Sequence, residues 1–146
     1  MADDRLNFNS HVDYACNKAA KAFNAISRIM PNSAGPSSSK RRLLASVSCS
    51  ILRYAGPAWN AALETHRNRT KLNRTFRLIA IRVATAYRTI SSEAACVIAG
   101  MIPIFITLAE DSECYRRNGT RGIRKRMRAE SIAKWQQEWN TATNGR

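Results

Sequence analysis

Apolar residues recur along this chain with a helical period almost throughout. Val12, Cys16, Ala19, Phe23, Ile26 and Met30 alternate steps of four and three, which places them on one face of a helix. Asn9 or Ser10 is suited to cap its start. Pro31 is expected to stop it, because the PNSAGPSS stretch from Pro31 to Ser38 is dense in turn formers. A second helix is expected from Ser38 or Ser39, with Leu43, Leu44, Val47, Ile51 and Tyr54 as its apolar positions. Gly56-Pro57 kinks or ends it, since proline has no backbone N–H to donate, and Trp59 and Leu63 carry an apolar face one or two turns further.

The third helix is predicted from Asn68 to Tyr87. Leu72, Phe76, Ile79, Val83 and Tyr87 lie along one side, and Arg67, Arg69, Lys71, Arg74, Arg77 and Arg82 fill the rest of the circumference. Ser91 reads as the N-cap of a short fourth helix with Glu93 in its first turn and Gly100 just past its end. Pro103 fits the first turn of a fifth helix carrying Ile104, Phe105, Leu108 and Tyr115. Asn118-Gly119 and Gly122 mark a break, after which Ile132, Trp135 and Trp139 belong to a last helix, with the two tryptophans one turn apart on one face. Period-two alternation never persists beyond a few residues. The pattern predicts an all-α fold, an irregular bundle of about five to six helices.

Charge changes this picture more than size does. The chain has 146 residues, a formal net charge of +14, and 24 basic residues against 10 acidic ones. A surplus of that size repels itself in a compact state and favours a polyanionic partner, whose neutralised phosphates release counterions. Eighteen of the basic residues are arginine, whose planar fork suits phosphate and base stacking. Residues 67–146 carry +10 of the surplus and residues 1–66 only +4. No apolar run approaches the ~20 residues of a membrane span. Met1-Ala2-Asp3-Asp4 lacks the regions of a secretory signal, so none is expected.

Catalytic chemistry has little to draw on. His11 and His66 are isolated, Cys16, Cys49, Cys96 and Cys114 form no zinc-binding spacing, and no phosphate-binding glycine loop is present. No metal and no cofactor are expected. Asp3-Asp4 resembles a polymerase metal box, yet without flanking strands two terminal acids are not held rigidly enough to chelate.

Three basic groups are candidates for nucleic-acid contact. Lys40, Arg41 and Arg42 open the second helix beside a serine-rich loop; the other reading is a solvated helix start. Arg69, Lys71, Arg74 and Arg77 lie on the third helix, where the other reading is an ordinary charged face. Arg121, Arg124, Lys125, Arg126 and Arg128 form the densest cluster and read as a backbone-binding stripe or a targeting-like basic run. Trp135 and Trp139 either stack on bases or pack as core.

Several segments, in order along nearly the whole chain, resemble a known family. They are Arg28-Ile29-Met30-Pro31-Asn32, Gly35-Pro36-Ser37-Ser38 and Lys40-Arg41-Arg42-Leu43-Leu44, then Leu52-Arg53-Tyr54-Ala55-Gly56-Pro57-Ala58-Trp59. They continue with Arg82-Val83-Ala84-Thr85-Ala86-Tyr87-Arg88-Thr89-Ile90-Ser91, Val97-Ile98-Ala99-Gly100 with Pro103, and Trp135-Gln136-Gln137-Glu138-Trp139. Together they resemble the region after the polymerase palm in the reverse transcriptase of non-LTR retrotransposons, the R1-like type above all. The resemblance implies a thumb-like helical region over 1–117 that follows a palm not in this chain. It also implies a basic C-terminal helical segment over 118–146, cut before the family's zinc knuckle. On this reading the chain is a non-catalytic piece of an RNA-directed DNA polymerase. Its implied partners are an RNA–DNA duplex or element RNA and the palm and fingers of the parent protein, with no membrane and no small-molecule substrate. The implied place of action is intracellular, and nuclear for an active element. The rival expectations are a helical protein-interaction module or a relic without function.

Overall fold

In a computed structural model, residues 8–31 and 33–142 are described, and Asp3 and Asp4 lie outside them. These residues form seven α-helices and one 3-10 helix, with no strand among them. In order they are α1 Asn9–Ser27, α2 Ser38–Arg53, α3 Gly56–Trp59, the 3-10 helix Asn60–Glu64, α4 His66–Ala84, α5 Ser92–Ala99, α6 Ile104–Arg116 and α7 Arg121–Thr141. The all-α expectation holds.

α4 is the centre of the bundle and packs against α1, α2, α5 and α6. Its inward stripe is the one the periodicity marks: Leu72, Phe76, Ile79 and Val83 are all buried. They meet Val12, Cys16, Ala19 and Phe23 of α1 and Leu52 of α2 in one core. Tyr87, expected on the same stripe, is 88% exposed. Thr85 adopts φ 53°, which ends the helix and turns the chain outward before Tyr87 is reached.

Local signals place α5 well. The Ser91 hydroxyl accepts from the Ala94 amide at 3.1 Å, Glu93 sits in the first turn, and Gly100 closes the helix at φ 63°. At other helix ends tertiary contacts win. Asn9 lies inside α1 and does not cap it, because its side-chain oxygen accepts from Asn68 Nδ2 at 2.6 Å. Pro103 precedes α6 and does not enter its first turn. Gly122 falls inside α7, so the break between α6 and α7 is confined to 117–120, with Asn118 at φ 47°.

α2 is rotated relative to expectation. Its buried positions are Arg41, Ala45, Ser48 and Leu52; of the expected apolar positions Leu44 and Ile51 pack half-buried against the core, whereas Leu43, Val47 and Tyr54 are 71%, 50% and 75% exposed. Small residues on the inward face let α2 lie close to both α1 and α4, which larger apolar side chains would prevent. The helix ends at Arg53. Ala55 at φ 53° redirects the chain, and Pro57 then opens α3. Trp59 is 1% exposed and donates from Nε1 to the Tyr54 carbonyl at 2.9 Å, which locks that bend.

Arg41 is a correction of function as well as of face. It is 3% exposed. Nε donates to Pro36 O at 2.8 Å, Nη2 to Pro31 O at 2.5 Å, and Nη1 to Met30 O at 3.3 Å and Arg82 O at 3.4 Å. The guanidinium therefore collects carbonyls left over beyond α1 and at the end of α4, where a cation also suits the helix dipole. Four of its five N–H donors are taken and the group is buried, so it is withdrawn from any phosphate. Gly35 is required beside it, because a Cβ there would collide with the Pro31 carbonyl and the Arg41 guanidinium.

No single helix among the described residues is long and apolar enough to cross a membrane. α5 and α6 together are so by composition, but they meet at 68° and bury Ala95, Cys96, Ile104 and Leu108 in the core. The four cysteines are free thiols, and burial pushes Cys49 up to about 11 and Cys96 to about 12, far from the thiolate state at neutral pH.

Candidate nucleic-acid interface

The outward side of α4 carries His66, Arg69, Thr70, Asn73, Arg74 and Arg77, spaced at three and four residues so that they form one stripe. This stripe faces Phe105 of α6 across an open groove of about 520 Å³. The Arg69 guanidinium stands 5.0 Å from the centre of the Phe105 ring, a cation–π contact that fixes its position without neutralising it. Arg77 donates from Nη2 to the Arg88 and Ile90 carbonyls at 2.5 and 2.6 Å, tying down the turn after α4 while keeping its charge. Arg74 is exposed and makes no hydrogen bond or ion pair among the described residues. No carboxylate lines this groove.

Lys71 does not belong with this group. It lies on the opposite edge of α4, where its Nζ is 2.5 Å from Asp13 of α1, and Arg67 reaches the same carboxylate at 3.2 Å. The hydrogen bond from Lys71 and the two positive charges hold the Asp13 carboxyl below its usual range. A depressed carboxylate stabilises the fold fully above its unfolded value of about 4 and loses that contribution as pH falls through the lower folded value. The melting temperature of an Asp13→Asn variant should therefore lie below that of the parent at neutral pH and converge with it under acid. A gap that stays constant down to the acid limit would show that the clamp does not act through charge.

The second-helix triplet is split three ways. Lys40 is exposed, Arg41 is buried as described, and Arg42 lies over the end of α5 with Nη1 donating to Ala99 O at 3.4 Å. The α7 set is partly neutralised. Arg128 is 3.2 Å from Glu110, Arg126 is 3.7 Å from Glu130, and Arg124 donates to Gly119 O at 3.2 Å. Arg124, Lys125 and Arg128 share a cleft between α6 and α7 with Arg53, but Glu110 and Asp111 line it too, and Arg53 is 2.7 Å from Asp111. Arg121 and Lys125 remain exposed with no partner among the described residues.

The structure thus brings Arg69, Arg74 and Arg77 together in one acid-free groove, adds His66 to them, and separates them from Lys71, from Lys40 to Arg42 and from the α7 cluster. His66 and Phe105 escape a reading based on charge density. The helical spacing of His66 from Arg69 and Thr70 is their one sequence signal, while Phe105 arrives from a different helix. No family model matches this chain, and neither a curated protein nor a solved structure matches it.

Proposed function

We propose that this chain is a helical module that grips a nucleic-acid backbone, the thumb-like region of a non-LTR retrotransposon reverse transcriptase, and that the α4 groove is its principal contact. The observation that carries this reading is the groove itself, with three arginines at helical spacing, two of them preorganised by Phe105 and by backbone carbonyls, and no carboxylate on its walls. Phosphate contacts of this kind position a duplex without reading its sequence, as a polymerase that slides along any template requires. Arg121 and Lys125 on α7 provide weaker, peripheral attraction.

Salt titration of binding to an RNA–DNA duplex tests it. The expected result is a log–log slope of about −2.7, from three neutralised phosphates at about 0.9 each. Absence of affinity at low salt would overturn the reading. A second reading, a module that docks on another protein surface, is favoured by the exposed Leu43 and Val47 on α2. It predicts a salt-independent protein contact and no duplex binding.

A further inference from the structure

The α4 groove does not end at Phe105. Asn73 and Phe105 also line a second hollow of about 360 Å³, whose other walls come from the start of α5 and the end of α7. Trp135 and Trp139, one helical turn apart, supply its aromatic surface; Trp135 is anchored against the core, whereas Trp139 is half-buried with no core role. Glu93 and Glu138 supply acceptors at its edge. The two hollows therefore have opposite chemistry and a shared wall. One is cationic and suited to phosphate. The other is aromatic, rimmed by carboxylates and hostile to phosphate.

We infer that the pair is a site for one unpaired nucleotide of a nucleic-acid strand, with its phosphate in the α4 groove on Arg69 and Arg74 and its base in the Trp135–Trp139 hollow. The inference rests on the nucleic-acid reading above and adds to it a preference for unpaired over fully paired strands. Aromatic faces bind any base by stacking, because every base has a π face. Carboxylates select among them, since they accept from exocyclic amino groups such as that of cytosine, and uracil has none. A base in a duplex has both faces covered by its neighbours and cannot enter. The order of preference is accordingly unpaired cytosine- or adenine-rich strands first, uracil-rich strands after them, and blunt duplex last for this hollow.

Tryptophan fluorescence of the full chain reads the occupied site directly, with buried Trp59 as constant background. A short single-stranded oligocytidylate should quench the emission saturably, and a blunt RNA–DNA duplex should bind with little quenching. Trp139→Leu should weaken the single strand roughly tenfold, within the range for loss of one stacked base, and leave duplex affinity unchanged. Trp139→Phe should restore most of that loss, and Glu93→Gln should narrow the margin over oligouridylate. Binding of both nucleic acids without quenching, and with Trp139→Leu silent, would overturn the nucleotide site while leaving the backbone grip intact. Saturable quenching by free cytidine monophosphate at the same concentration as the oligomer would also overturn it, because the pocket would then serve a free nucleotide. Failure of every nucleic acid to bind at low salt would remove the nucleic-acid reading itself. Circular dichroism of each variant separates loss of the site from loss of the fold.

Discussion

Replacing Arg41 by Met should destabilise the protein by about 3–4 kcal/mol, a large share of the 5–15 kcal/mol typical of a domain. Methionine replaces the aliphatic stem of the arginine with an apolar one, so packing along the stem is largely kept. What is lost is the donor set that satisfies carbonyls from Met30, Pro31, Pro36 and Arg82. A buried acceptor left without a partner costs about 1–3 kcal/mol; Met30 is fully buried, Pro36 and Arg82 are half-buried, and exposed Pro31 turns to water most easily. Lysine is not a conservative replacement, because a single ammonium cannot span four acceptors that a planar guanidinium reaches from several sides. Arg41→Lys should recover less than half of the loss. Gly35→Ala should mimic the defect by displacing the guanidinium. Denaturant unfolding measures all three. A loss below about 1 kcal/mol for Arg41→Met would mean that the carbonyls find water and that the cage is incidental.

The second large effect lies on the opposite side of α4. Arg69→Gln combined with Arg74→Gln should reduce the salt slope for duplex binding by nearly two units and lower affinity at about 50 mM salt roughly a hundredfold, since each phosphate contact contributes about 0.9 to the slope. Neither arginine supports the core. One rests on the ring of Phe105, and the other is free among the described residues. Stability should change little. Arg121→Gln with Lys125→Gln serves as the control of equal charge. If that pair matched the α4 pair in its effect, net charge and not the groove would be responsible. Arg77 is left intact in this experiment because it also holds the Arg88 and Ile90 carbonyls.

Much of the architecture was legible because it is local. The stripe of α4 and the serine cap and glycine stop of α5 each depend on neighbours within a turn or two. The face of α2 was legible only in part, at Leu44 and Ile51, which pack against the core. Leu43 and Val47 look like core by hydrophobicity, but the bundle needs closeness there, and Ala45 and Ser48 supply it. Charge was legible as an amount and illegible as a distribution. Arg41 and Lys71 have the same sequence context as their neighbours. One is consumed by carbonyls from three parts of the chain, the other by an aspartate 58 positions away. The groove joins residues of α4 to a ring from α6, and the hollow beside it adds a tryptophan pair from α7, a meeting that spacing along the chain cannot express.

The Arg41 cage also bears on the order in which the chain assembles. Three of its four acceptors, Met30, Pro31 and Pro36, precede Arg41 by no more than eleven residues, so an α1–α2 hairpin emerging from a ribosome already holds most of the cage. The fourth, Arg82, follows it by 41 residues and is delivered only with the end of α4. Closure of that last bond marks the moment at which the early hairpin and the central helix are brought into register. The pairs α1–α2, α4–α5 and α6–α7 join neighbouring elements, whereas docking α4 on α1 brings together residues such as Asp13 and Lys71, 58 positions apart, and carries the larger loop-closure cost.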